Sequence, residues 1–137
     1  MSYGVAAALQ EAVFQALQAD AQVSNLSGGA VYDALPGGEL PETYVTLGPE
    51  DVRDRSDMSG AGAEHRFSIT VTTAQAGFVT AKSLAAAISD ALAGADLTLS
   101  RGRLVGLWFE RAVAGRSRSG GGLRTITMRF RARVEDN

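Results

Sequence analysis

The sequence contains no cysteine, which removes disulfides, thiolate catalysis and every cysteine-ligated metal or cluster. It also suits a chain assembled in the reducing cytoplasm. Histidine occurs once, as His65, so neither a zinc site nor a histidine-activated nucleophile has its usual partners. A strand-end histidine near the surface is the expectation for it. Basic residues are in no excess: 13 stand against 15 acidic ones for a net charge of −2, which argues against a dedicated nucleic-acid binder. No apolar run approaches the length of a membrane span, and Met1-Ser2-Tyr3-Gly4 carries no basic n-region, so neither a bilayer segment nor a signal peptide is expected.

What is present is patterned. The 137 residues are enough for a single domain covering 1–137. Val5, Leu9, Ala12, Val13, Ala16 and Leu17 recur at helical spacing, and predict an amphipathic helix over Tyr3 to Ala19. Ser24 to Gly29 reads as a stop. Ala30 to Asp33 is a short strand candidate, and Thr43 to Leu47 a better one, ended by Gly48-Pro49. From Glu50 to Glu64 the chain is polar and is expected to be a long flexible loop. His65 to Thr73 alternates as a half-buried strand, with Phe67, Ile69 and Val71 inward. Gly77 to Ala93 is a second helix, with Phe78, Ala81, Leu84, Ala85, Ile88 and Leu92 as its stripe and Gly94 as its cap.

The last third predicts a β-hairpin. Leu97 to Leu99 reads as a short edge piece. Along Leu104 to Val113, Val105, Leu107 and Phe109 oppose Gly106, Trp108 and Glu110. A second flexible connection, about 114–122, holds Arg116, Arg118 and three consecutive glycines. Leu123 to Glu135 then returns as a strand, with Ile126, Met128, Phe130, Ala132 and Val134 inward. The fold class is α+β, a mostly antiparallel sheet with two helices packed on one face and a long C-terminal hairpin.

Chemistry is sparse. Asp51, Asp54 and Asp57 lack the ligand density of a calcium loop. The glycine clusters at 60–62 and 120–122 lead into no helix N-terminus, so neither forms a phosphate cradle. No cofactor is expected, and no nucleophile, base and orienting group stand together. The anomaly is the outward row Arg129, Arg131 and Arg133, three like charges on one strand face. Glu110 on the other arm of the hairpin can oppose part of it, which is one reading. The preferred reading brings acids from another subunit, with the acid-rich loop Glu50 to Asp57 as their source, so that Asp51, Arg53, Asp54, Arg55 and Asp57 are candidate interface residues. Trp108 on the same nominal face would then anchor an interface.

In this order the segments resemble the tail-terminator (tail-completion) family of long-tailed bacteriophages and gene transfer agents. The likeness rests on the helix Val5 to Leu17, Gly29-Ala30-Val31-Tyr32-Asp33-Ala34-Leu35-Pro36, and Leu40-Pro41-Glu42-Thr43-Tyr44-Val45-Thr46-Leu47-Gly48. It continues through the polar loop, Phe67-Ser68-Ile69-Thr70-Val71, the Ala-rich helix ending at Leu92 and the arginine-rich hairpin. The run Tyr32 to Pro36 looks most like the gene-transfer-agent branch. Thr72 departs from the family, where an aromatic residue is common. The resemblance implies a structural, non-enzymatic subunit of a ring, usually hexameric. Such a ring caps the tail tube, stops its polymerisation and joins it to a head-completion (stopper) protein, with DNA passing through the channel. It implies assembly in the cytoplasm, then a place in the tail or neck, with the tube protein, the stopper and further copies of itself as partners. A slightly acidic chain suits a DNA conduit. Another neck or minor tail subunit, or a small-ligand-binding module, is the alternative.

Overall fold

A computed structural model describes residues 3–58, 60–116 and 122–136. Its elements run α1 (Ala6–Ala19), α2 (Ala21–Ser27), β1 (Val31–Tyr32), β2 (Thr43–Asp54), β3 (Ala61–Thr73), α3 (Val79–Leu92), β4 (Arg103–Arg116) and β5 (Arg124–Asp136). The strands form one sheet ordered β1-β2-β3-β5-β4, antiparallel except for the β1–β2 pair. The α+β architecture is therefore as expected from the alternating strands and helical stripes.

All three helices contribute to one apolar core on one face of the sheet. Val5 leads into α1, which buries Leu9, Val13 and Leu17 at four-residue intervals; α3 buries Ala81, Leu84, Ala85, Ile88 and Leu92. The sheet answers with Val45, Ile69, Val71, Ile126, Met128, Phe130, Ala132 and Val134. Phe130 lies at the centre, fully buried, stacked on Phe67 at 5.7 Å between centroids and meeting Phe109 edge-on at 5.8 Å.

Several expectations are corrected. There are three helices, not two, because Ser24 to Ser27 belongs to α2 instead of a turn. Asp20 ends α1 with extended backbone and caps α2, accepting from the Val23 amide at 3.0 Å. Gly28, at φ 65°, then stops α2 in the left-handed region. Leu97 to Leu99 forms no strand.

The polar stretch from Glu50 to Glu64 is a β-hairpin, not a long loop. β2 does not end at Gly48-Pro49 but absorbs both residues in a bulge between Leu47 and Glu50, then pairs on to Asp54 opposite Ala63. Proline cannot donate to a ladder, and a bulge is where a strand tolerates it. Only residues 55 to 60 connect the two strands. Likewise β4 continues to Arg116, so residues 114–116 of the expected connection at 114–122 are strand, and 117–121 lie outside the described residues.

Two further bulges, between Leu104 and Gly106 and between Phe109 and Arg111, break the expected alternation of β4. Leu104 and Leu107 are buried, while Val105, assigned inward from the sequence, is 47% exposed. Beyond Leu107 the strand outruns the helices, and Ala112, Val113 and Ala114 are all exposed. The other end of β4 is tied down by side chains. Arg101 forks onto Asp136, with its closer contact at 2.8 Å, and Arg103 meets Glu135 at 2.7 Å.

Phe130→Ala removes the ring on which Phe67 and Phe109 both pack, and is expected to destabilise the chain by about 3–5 kcal/mol in urea denaturation. Gly102 sits at φ 74°, and a Cβ there would lie 2.6 Å from the Glu135 carbonyl oxygen. Gly102→Ala is therefore expected to lower the urea midpoint, whereas Gly115→Ala, with nothing within 4 Å, changes it little.

Candidate interaction surface

The face of the sheet opposite the helices bears the charged residues. Register places them in transverse rows, Asp51–Arg66–Arg131–Trp108 and Arg53–Glu64–Arg133–Gly106, with Ser68–Arg129–Arg111 next to the first. Arg66 directly opposes Arg131 on the central strand pair. Like charges so placed destabilise a sheet unless carboxylates intervene.

Two glutamates intervene. Glu64 approaches Arg66 at 3.4 Å, Arg131 at 3.6 Å and Arg55 at 3.9 Å. Glu110 approaches Arg66 at 3.3 Å and both Arg129 and Arg131 at 3.7 Å. Each carboxylate thus serves three guanidinium groups. Glu110 does so because it is the extra residue of the second β4 bulge, in the register gap between Phe109 and Arg111. These separations exceed the roughly 2.7–2.9 Å of a charge-assisted hydrogen bond, so the lattice works as shared electrostatics more than as individual forks. Arg133 completes the edge of the cluster by donating to the Arg55 carbonyl at 2.9 Å.

Within the row, Arg129 and Arg131 are therefore opposed by carboxylates of their own chain, and Arg133 by a backbone carbonyl. Within the chain, the acids of the 50–57 segment that were expected to meet this row from another subunit have local partners. Asp51 pairs with Arg53 at 3.6 Å on an exposed part of β2. Asp54 accepts from the Ser56 amide at 3.1 Å and its hydroxyl at 2.6 Å, which together hold the Asp54 carboxyl below its ordinary range. Because that folded-state value is depressed, whatever the group contributes is complete at neutral pH and is lost as pH falls through the acid range. Asp57 closes the hairpin tip, where its carboxylate accepts from the Gly60 amide at 3.1 Å. Arg55 turns back onto Glu64, Arg116 ends β4, and Arg118 lies outside the described residues.

Trp108 is 42% exposed, and one side of its ring is occupied. The Arg131 guanidinium lies over it, 4.4 Å from the centroid. The ring also lies over Gly106, where a Cβ would stand 2.5 Å from it. The indole is thus part of the charged face rather than a free projection.

His65 is not near the surface. It points to the helix side of β3, fully buried, and its Nδ1 lies 2.9 Å from Glu50 Oε2. Glu50 reaches it because the Gly48-Pro49 bulge puts Glu50 opposite Phe67, on the same face as His65. His65 was expected near the surface, and its pairing with Glu50 was not expected. The signal was a charged residue immediately after Gly-Pro within a continuing strand. Among the described residues no cluster of three or more metal-ligating side chains occurs, and no helix is long and apolar enough to cross a membrane.

The geometry defines a small α+β subunit with one helix-covered face and one ionically organised open face. The chain belongs to the family of tail completion protein gp17, whose model matches residues 11–135. It is also similar, at 63% identity, to a chain in a solved structure described as the virion of a native gene transfer agent particle. That match covers 98% of this chain and 99% of the other, with a TM-score of 0.92. No curated protein sequence matches the chain. It is accordingly a structural protein of the phage-tail and virion-assembly type, as its segment order suggested.

Glu64→Gln withdraws charge from three arginines at once and is expected to cost about 1–3 kcal/mol of stability in urea, while Asp51→Asn stays within about 0.5 kcal/mol. Equal effects of the two substitutions would show that the face is simply solvated.

Proposed function

We propose that the chain is a tail terminator: it forms a ring on the head-proximal end of a tail tube, halts tube polymerisation and presents a docking face to a head-completion protein. The observation that carries this reading is the 63% identity, over nearly the full length of both chains, to a component of a gene transfer agent virion. At that similarity the fold and the surfaces are shared closely enough for a common place in a particle. Membership of the tail completion family supports the same reading.

The partners are then further copies of the chain, the tube protein and the stopper, with DNA passing through without being retained. A net charge of −2 suits that passage, since a strongly basic lumen would hold the phosphate backbone. Function resides in complementary surfaces, with no turnover and no cofactor. The chain assembles in the cytoplasm and ends in the tail or neck of the particle.

Electron microscopy of particles made without the chain tests this. The expected result is tails of irregular, extended length that are not joined to heads. Tails of normal length joined to heads would rule the terminator role out.

A further inference from the structure

Two flanks of the sheet carry charged side chains that have no ion-pair partner among the described residues. At the β1–β2 flank a groove of about 490 Å³ runs beside α1, lined by Ala7, Glu11, Phe14, Asp33 and Glu50 among others. Among the described residues neither Glu11 nor Asp33 forms an ion pair, while Glu50 is paired with His65. Glu11 accepts from Gln15 and Asp33 from Gln10, both neutral amides, and Glu50 is turned to His65. The opposite flank is the free edge of β4. There Arg111 and Arg116 form no ion pair among the described residues, unlike their neighbours Arg129 and Arg131. Arg111 and Val113 lie on the open-face rim of this edge and Arg116 and Phe109 on its helix-side rim, with Phe109 and Val113 44% and 49% exposed.

We propose that the β4 flank of one copy docks into the α1–β2 groove of the next. The β4 edge would enter the groove with Arg111 and Val113 on one rim and Arg116 and Phe109 on the other, the arginines meeting the groove carboxylates and the apolar side chains covering Phe14 and Ala7. This rests on the ring reading and specifies its interface. The two patches are different surfaces at opposite edges of one sheet, so the contact is heterologous. It repeats from copy to copy and closes when the rotation between copies divides a full turn. Opposed charge fixes which flank meets which and disfavours β4 against β4, where arginine would face arginine. The arginine row of β5 is not needed for it, since Glu64 and Glu110 already pair with Arg129 and Arg131.

The absence of cysteine makes the test clean. Particles are made with Ala7→Cys, Val113→Cys or both, and oxidised mildly before non-reducing electrophoresis. The double variant is expected to give a ladder of linked chains, and each single variant none. A mixture of the two single variants is expected to stop at dimers. As a second readout, Arg111→Glu is expected to weaken self-association at least tenfold, and adding Glu11→Arg to restore it. If the double variant sits in particles with normal tails yet gives no linked species, or if Val113→Cys alone links to itself, the proposed docking is overturned and the terminator role stands. Normal, head-joined tails in particles made without the chain would overturn the terminator reading and the ring interface with it.

Discussion

The pairing of β3 with β5 is the constraint on which the rest of the structure depends. It runs without interruption from Ala61 opposite Asp136 to Thr73 opposite Arg124. Side chains alternate across a strand, so this one register decides which residues meet the helices and which meet solvent. A slip of one residue would present Arg129, Arg131 and Arg133 to the core and Phe130, Ala132 and Val134 to water. The apolar face and the ionic face are therefore two outcomes of one choice. Phe67 on Phe130 favours the native register from one side, and Glu64 between Arg66 and Arg131 favours it from the other.

β2 and β4 are added to this uninterrupted centre with irregularities, and the irregularities do the specialised work. The bulge at Gly48-Pro49 turns Glu50 inward to His65. The bulge at Glu110 supplies a carboxylate to three arginines from three strand positions. The outer strands are thus where the chain departs from ideal geometry, and where its surfaces acquire individual character.

The legible part of the fold was the part with a clean period. The stripes of α1 and α3 and the alternation of β3 and β5 were readable because burial imposes them directly. What stayed hidden depended on register. Gly48-Pro49 reads as a strand end because proline and glycine usually are, and only the pairing of Glu50 with Phe67 shows the strand continuing. Asp20 was an available cap signal for α2, but a seven-residue helix leaves too short a stripe to announce itself. At the candidate surface, the arginine row was visible and so was Glu110 as a partial counter-charge. That Glu64 shares in balancing the row required knowing which residues lie side by side across three strands.

The two bulges of β4 carry one more consequence. An outermost strand is a template on which other chains can crystallise one after another, and a long regular one invites fibres. Val105 and Glu110 interrupt the ladder at two points, so an incoming strand finds no long uninterrupted run of evenly spaced donors and acceptors along that stretch. In the proposed ring, copies of this chain would recognise one another by the shape and charge of side chains, which can be satisfied once and finished, instead of by backbone pairing, which has no natural end.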